Sequence, residues 1–188
     1  GVRPATTNRP TTSARPSTAA ERKGNRALAV ATKNYYARLD NFIPTLCLQA
    51  KLHWDKREYS RAEQVLRNVA DFCSNHDTWL INMGHVLFAQ QKFEASIENY
   101  EQLMKRHEAD LLELPAVILA NLCVAYVLVG RNEVAEELIR MVEKKEHHWV
   151  ALRNGKEKAH SCIIHLCIGL LYCQKQNYAF GIARICKS

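Results

Sequence analysis

The densest group of side chains that could bind a metal lies near the end of the chain. It consists of His160, Cys162, His165, Cys167 and Cys173. Cys162 and His165 stand one helical turn apart and could form half of a zinc site. A structural zinc site needs four ligands that converge, and this spacing does not supply them. We therefore expect no metal and no cofactor, and interpret the segment as a helix that faces a core or a groove.

Other reactive side chains also lack the arrangement that catalysis requires. The sequence has no glycine-rich nucleotide loop, no HExxH and no GxSxG. The neighbours of Cys123 are apolar, which raises the pKa of a thiol and makes it inert. Glu133, Glu136 and Glu137 lie on a solvated helix face, where Glu136 and Arg140 are spaced as a helix-stabilising pair. We predict a protein that is not an enzyme; the alternative is a metal or thiol enzyme built on residues 162–173.

Composition favours a helical protein of one domain. The chain has 188 residues, of which 47% are hydrophobic and 8% aromatic, with only 7 glycines and 5 prolines. No apolar run reaches the ~18 residues of a membrane span, so we expect no membrane insertion. No secretory signal opens the chain, and its seven cysteines form no CxxC pair. Reduced cysteines in a cytosolic protein are the simplest interpretation.

The elements that position these side chains follow a repeat. Residues 77–108 have the apolar spacing of two amphipathic helices joined at Gln90–Lys92. The same pattern of small and large residues recurs 34 residues earlier, at a period typical of tetratricopeptide repeats. Small residues take the eighth and twentieth places and a large apolar residue the twenty-fourth: Gly84, Ser96 and Tyr100 in one unit, Ala50, Ala62 and Leu66 in the other.

The sequence therefore predicts an all-α tetratricopeptide-repeat solenoid, a right-handed superhelix of about three and a half helix pairs preceded by one helix. A disordered tail is expected over 1–24, a leading helix over 25–42 and the solenoid over 43–188. Its repeats lie near 43–76, 77–110, 116–149 and 162–188, and the last is truncated. Insertions fall around Asp110–Pro115 and in a charged loop, His147–His160, where His147 and His148 are solvated. The incomplete last pair and the initial Gly suggest a fragment of a longer repeat protein.

The first residues carry nearly all of the net charge. Arg-Pro recurs at positions 3, 9 and 15, and residues 1–34 hold seven Arg or Lys against Glu21 alone, while the whole chain has a net charge of +7. Such a segment has little to bury and should be extended and disordered. It is either a solvated linker or a basic tail that touches an acidic surface such as tubulin or nucleic acid, weakly and with strong screening by salt. The rest of the chain is about neutral, so nucleic acid is not a predicted partner.

One face of the first helix in each repeat is the predicted partner-binding groove. Its residues are Cys47, Lys51, Trp54, Ile81, His85, Phe88, Ala120, Val124, Val127, Leu166, Leu170 and Cys173. The set is mostly apolar and lacks the Lys and Asn residues with which some repeat adaptors clamp a C-terminal carboxylate. It should hold an apolar, extended or helical segment of a partner protein. Alternatively, some of these side chains pack on the next helix.

Several stretches go beyond the general repeat pattern. They are IPTLCLQAKLHW (43–54), FCSNHDTW (72–79), HVLF (85–88), VILANLCVAYV (117–127), NEVAEELI (132–139) and IGLLYCQKQNYAFGIARICKS (168–188). Together they closely resemble the tetratricopeptide repeat protein 30 family, the repeat subunit of intraflagellar transport complex B. The resemblance covers about residues 35–188 and stops short of the Arg-Pro tail.

This resemblance implies a non-enzymatic scaffold of the ciliary transport train, located in the cilium or flagellum and the cytoplasm. Family members wrap a tight superhelix around an extended, apolar, proline-containing segment of a neighbouring complex B subunit. The family is also linked to tubulin polyglutamylation in the axoneme, without being the ligase. The alternative hypothesis is a general cytosolic peptide-binding adaptor unrelated to cilia.

Overall fold

A computed structural model describes residues 19–37, 42–152 and 160–188. These residues form ten α-helices and one 3₁₀ turn, without a strand. The helices are α1 (Ala19–Ala37), α2 (Phe42–Asp55), α3 (Tyr59–Arg67), α4 (Ala70–Cys73), α5 (Asp77–Ala89), α6 (Phe93–Arg106), α7 (Ala116–Leu128), α8 (Asn132–Leu152), α9 (His160–Gln174) and α10 (Tyr178–Ile185), and the 3₁₀ turn is Leu111–Glu113. None of these helices combines the length and apolarity that crossing a bilayer would require.

The helices pack as successive antiparallel pairs. α2 packs on α3, α5 on α6, α7 on α8 and α9 on α10, and the first helices of neighbouring pairs also touch, since α5 contacts both α2 and α7, and α7 contacts α9. Buried apolar residues run as one core from Ala50 to Ile168. Each pair therefore buries its apolar face only by stacking on the next, as in a repeat solenoid. The predicted all-α tetratricopeptide-repeat fold is confirmed.

The turns inside the four pairs share one geometry. The fifteenth residue of each repeat has a positive φ: 59° at Arg57, 61° at Gln91, 84° at Gly130 and 64° at Gln176. One residue later, a backbone N–H returns to the carbonyl five residues before it, as from Lys92 to Leu87 at 2.9 Å. This bond and the left-handed residue form a Schellman motif at the C-terminus of the first helix of each pair. The turns therefore keep all four pairs in the same register, despite the insertions between them.

The fit between the two helices of a pair depends on a small residue facing a large one. A Cβ atom on Gly84 would lie 2.5 Å from Cε1 of Tyr100. Ser96 Oγ also donates to the Gly84 carbonyl at 2.9 Å, so the two helix backbones approach closely at this point. The interpretation of Gly84 as a packing glycine is confirmed.

A buried carboxylate joins the first pair to the second. Glu63 on α3 is 6% exposed and accepts hydrogen bonds from Lys92 at 2.6 Å, Arg67 at 2.7 Å and Gln90 at 2.8 Å. Burial alone would raise the pKa of Glu63, but these donors outweigh it and lower the pKa to about 2. The neighbouring Trp79 indole donates to the Leu66 carbonyl at 2.9 Å and so satisfies a group at the end of α3.

Replacing this carboxylate should make stability depend less on pH. Because the folded pKa of Glu63 is about 2 against an ordinary 4.5, its contribution is complete above about pH 4.5 and disappears as the pH falls towards 2. Glu63→Gln should therefore cost about 2 kcal/mol at pH 7, and the difference from the wild type should shrink below pH 4.5. Urea unfolding across this pH range measures it. Glu98→Gln, on the exposed side of α6, is the control, and an equal loss in both variants would contradict the prediction.

The expected insertion after the second repeat is a packed element. Leu111 and Leu114 are 1% and 4% exposed, and the 3₁₀ turn packs on α8. Lys145 donates to the carbonyl of Glu108 at 2.7 Å, and His160 Nε2 to that of Leu114 at 2.8 Å. The insertion therefore contributes apolar surface to the core and is tied to the third and fourth pairs.

This packing changes the boundaries of two predicted segments. The loop predicted over His147–His160 is wrong at both ends. α8 runs to Leu152, so the exposed His147 and His148 are helical, and α9 already begins at His160; residues 153–159 lie outside the described part. Glu146, 6% exposed, accepts a hydrogen bond from the His160 amide at 2.6 Å and so caps α9. α8 continues because the insertion gives it a surface on which to pack.

The leading helix also differs from its prediction. α1 begins at Ala19, inside the predicted tail, and ends at Ala37. Two of its large apolar side chains, Leu28 and Tyr35, are 67% and 63% exposed. Residues 1–18 lie outside the described part, so the disordered tail stays a prediction.

Candidate partner-binding face

The first helices of the four pairs, α2, α5, α7 and α9, together form a surface that we call the inner face. First helices line the concave side of a repeat solenoid. The predicted groove residues occupy the fifth, ninth and twelfth places of each repeat, all within these first helices. Lys51, Leu166 and Leu170 are exposed, and seven others are half-buried: Cys47, Trp54, Ile81, His85, Phe88, Val124 and Cys173.

Two predicted groove residues belong to the core instead. Ala120 is 1% exposed and Val127 is 7% exposed. Their helix, α7, packs on α5, α6, α8 and α9, which leaves it less free surface than the helices near the ends of the stack. The prediction that these two side chains line the groove is therefore corrected, and the remaining ten stay predictions.

A cleft of about 250 Å³ opens on the inner face between α2 and α5. Ala50, Val86 and Trp54 give it an apolar wall, and Lys51, Asn82 and His85 add polar groups. Lys51 pairs with Asp55 at 2.8 Å on the surface of α2, so its charge is balanced locally. The cleft therefore suits an apolar, uncharged group.

The twelfth-place aromatic side chains serve both packing and the inner face. The ring of Trp54 lies 5.0 Å from that of Tyr59, and Phe88 lies 5.5 Å from Phe93, both in edge-to-face contact. Each partner ring is the first residue of the following helix. Packing on the next helix, the alternative left open by the sequence, therefore holds for part of each ring, and the rest remains accessible on the inner face.

A polar group lies in the middle of this apolar surface. Tyr100 Oη is 2.7 Å from His85 Nδ1, and Asn121 Nδ2 is 3.4 Å from both atoms. Burial lowers the pKa of His85, and burial raises the pKa of Tyr100 to about 12. Both side chains are therefore neutral near pH 7, and the cluster carries no charge.

Sequence reasoning missed two asparagines on the inner face. Asn82 and Asn121 both take the sixth place of their repeats, and Asn82 lines the cleft. The prediction took only the fifth, ninth and twelfth places of each repeat, so it overlooked a polar residue that recurs at the sixth place of successive repeats. That recurrence, once the insertion after α6 is allowed for, was the signal available.

The two histidines among the candidate metal ligands make contacts within the fold through Nε2. His160 bonds the Leu114 carbonyl, and the 2%-exposed His165 lies with Nε2 2.9 Å from Glu143. Across residues 19–37, 42–152 and 160–188, no three His, Cys, Asp or Glu side chains converge on a point where a metal could bind.

Cys123 and Glu136, the other reactive side chains considered in the sequence, have structural roles in the fold. Burial raises the pKa of Cys123, as its apolar neighbours predicted, and the thiol is inert at neutral pH. The expected pairing of Glu136 with Arg140 is replaced by an ion pair between Glu136 and Arg184 of α10. The carboxylate thus links the third and fourth pairs.

The chain matches known proteins over most of its length. A family model described as the intraflagellar transport protein 70 C-terminal domain matches residues 9–188. Intraflagellar transport protein 70A of Bos taurus is 42% identical over 171 residues, and 70A and 70B of Homo sapiens are each 40% identical; every match covers 90% of this chain and 26% of the relative. The chain thus spans about a quarter of the length of these relatives. The family match includes residues 9–24, so the expectation that the resemblance excludes the Arg-Pro tail is wrong there.

A solved structure of MamA AMB-1 has a similar fold. It superposes with a TM-score of 0.51 at 16% sequence identity, covering 88% of this chain and 82% of that one. At this identity the similarity concerns the stacked helix pairs alone.

Proposed function

Because this chain belongs to the intraflagellar transport protein 70 family, we propose that it is a non-enzymatic scaffold segment of intraflagellar transport complex B, acting in the cilium and the cytoplasm. The sequence resemblance to the tetratricopeptide repeat protein 30 family pointed to the same group. In this proposal the segment holds an apolar stretch of another complex B subunit on its inner face during cilium assembly. The family's link to polyglutamylation of axonemal tubulin, without being the ligase, is part of the proposal.

The observation that carries this proposal is the accessible apolar surface of the inner face. Leu166 and Leu170 are 41% and 55% exposed, and they extend the row of half-buried Ile81, Phe88 and Val124 along successive helices. A folded domain normally covers such a row, and a continuous apolar strip marks a site where another chain binds. A partner segment lying along the solenoid would cover it.

Co-purification tests the proposal. The tagged full chain, expressed in ciliated cells, should bring down complex B subunits in stoichiometric amounts. Recovery should survive high salt, because burial of apolar surface is not screened, whereas a contact made by the basic tail with an acidic surface would be lost. Stable recovery of other proteins without any complex B subunit would favour the general peptide-binding adaptor.

A further inference from the structure

A cavity of about 250 Å³, which we call the insertion cavity, lies where the insertion after the second pair packs on α8. Its lining includes, from the insertion and from α8, Asp110, Leu112, Glu113, His148 and Trp149. Leu112 is 6% exposed and Trp149 is half-buried, so these two side chains give the cavity an apolar wall. The described lining residues come from the insertion and from α8, the second helix of its pair, so this cavity is separate from the inner face.

The rim of the insertion cavity carries two carboxylates. Asp110 and Glu113 are exposed, and neither forms an ion pair in the part of the chain that the structure describes. Lys145, which also lines the cavity, donates instead to the carbonyls of Glu108 and Ala109, at 2.7 and 3.2 Å. The last turn of α8 borders the cavity as well, and the carbonyls of a helix C-terminus carry partial negative charge. The cavity therefore suits a cation on a chain that can pack on an apolar wall.

The chain itself contains a segment of this chemistry. Residues 1–18 carry Arg3, Arg9 and Arg15, each followed by a proline, and no Asp or Glu. The guanidinium of arginine matches the geometry of a carboxylate, and proline-containing segments bind aromatic surfaces in the extended conformation that proline favours. That conformation has three residues per turn, so a spacing of six residues would place all three arginines on one side. Residues 1–18 are therefore complementary to the insertion cavity in charge and can also pack on its apolar wall.

The segment is attached close enough to reach the cavity. Residues 1–18 lead into α1, and α1 packs on α4. Just after α4, the carbonyl of Asn75 accepts a hydrogen bond from Arg106 at 2.8 Å, and Asp110 lies four residues beyond Arg106. α1 and the insertion are therefore at the same end of the helix pairs. Eighteen extended residues span about 56 Å, which is several times the roughly 10 Å between packed helices.

We propose that residues 1–18 bind the insertion cavity of their own chain, with an arginine paired to Asp110 and Glu113 and its neighbouring proline packed on Trp149. The contact is intramolecular, so a high effective concentration compensates for ion pairs that are individually weak. The bound segment loses the free charge with which it could touch another acidic surface, such as tubulin or nucleic acid. Salt or a stronger acidic competitor would displace it. This inference goes beyond the scaffold proposal and concerns a different surface.

The test follows the indole N–H signal of Trp149 by NMR of the full chain, with the signal assigned from Trp149→Phe. Raising the salt concentration from about 10 mM to about 1 M shortens the Debye length from about 30 Å to about 3 Å, which should displace the segment. The wild-type signal should therefore move. In the arginine variant, which combines Arg3→Gln, Arg9→Gln and Arg15→Gln, the signal should start at the high-salt position and stay there.

Two further sets of variants identify the charges responsible. Asp110→Asn with Glu113→Gln should abolish the salt response as the arginine variant does. The matched control removes the same number of exposed cations elsewhere, by Lys56→Gln, Lys175→Gln and Lys187→Gln, and should respond as the wild type does. An equal response in the wild type and in the arginine variant would overturn the inference, and so would loss of the response in the control.

A second basic segment of the chain is the alternative occupant. Residues 153–159, which lie outside the described part, contain Arg153, Lys156 and Lys158. They also contain Glu157 and no proline, so they are less complementary to the cavity than residues 1–18. If changing these three cations to Gln removed the salt response of Trp149 while the arginine variant kept it, the cavity would belong to residues 153–159 and the inference would be wrong.

Cross-linking then shows whether the contact lies within one chain. A photo-crosslinking amino acid in place of Thr12 should join residues 109–113 or 145–149 of the same chain, as identified by mass spectrometry. Asp110→Asn with Glu113→Gln should lower the yield roughly fivefold. Cross-links between two chains, with a yield that rises with protein concentration, would assign the bound segment to a second copy and contradict the intramolecular contact. The absence of any cross-link to the cavity at low salt would overturn the inference outright.

Discussion

Gly84→Ala is expected to lower the free energy of unfolding by about 3 kcal/mol, although alanine is the better helix former by about 1 kcal/mol. The added methyl would lie 2.5, 2.9 and 3.0 Å from Cε1, Cδ1 and Cζ of Tyr100. The Tyr100 ring is 0% exposed and hydrogen-bonded through its hydroxyl, so it has no free space into which to move. α5 and α6 must therefore separate. Urea unfolding followed by circular dichroism measures the loss.

Two further variants decide whether the clash is the cause. Gly24→Ala, in the helix α1, is the control, because a Cβ there would have nothing within 4 Å, and it should be neutral or slightly stabilising. Gly84→Ala with Tyr100→Leu reproduces the first repeat, where Ala50 and Leu66 occupy the same two places and are both buried. The double variant should recover most of the lost stability. If Gly84→Ala were as stable as Gly24→Ala, the packing explanation would be wrong.

The fold could be predicted because its determinants recur along the chain. A small residue at the eighth place faces a large one at the twenty-fourth, as Gly84 faces Tyr100 and Gly169 faces Ile185. This pairing is local to one helix hairpin, so a single sequence contains it. The turns repeat in the same way: their left-handed residue is glycine only at Gly130 and is Arg57, Gln91 or Gln176 elsewhere. The fold was therefore predictable from the spacing of small and large residues and not from the amino-acid composition of the turns.

The features that the sequence did not predict depend on contacts between distant parts of the chain. Residues 147–152 fall within the predicted charged loop, yet they continue α8 because the insertion around Leu111 and Leu114 packs on it. Likewise, the cap of α9 is Glu146, on the preceding helix and not in the local sequence. The polar cluster of His85, Tyr100 and Asn121 forms only when α5, α6 and α7 are stacked, since Tyr100 on α6 links the other two helices. A prediction from spacing within one helix could not include it.

Introducing a carboxylate on the inner face should abolish co-purification with complex B. Phe88→Glu and Val124→Glu each place a charge in the apolar row, and a partner covering it would have to bury that charge unpaired. Co-purified complex B should fall by at least about tenfold, a loss of roughly 1.4 kcal/mol or more in binding. Quantitative immunoblotting of tagged protein measures recovery, and circular dichroism should remain helical.

Half-buried Phe88 packs on Phe93, and Val124 lies against the core, so these two variants could also lower stability. Leu170→Glu separates binding from folding, because Leu170 is 55% exposed on α9 and its replacement disturbs no core contact. We expect Leu170→Glu to lose complex B with an unchanged melting temperature. The matched control is Val134→Glu, the same kind of change at a residue of α8 that is 41% exposed and lies off the inner face. Normal recovery with Val134→Glu and loss with Leu170→Glu would locate the partner on the inner face; equal recovery with all four variants would exclude it from that surface.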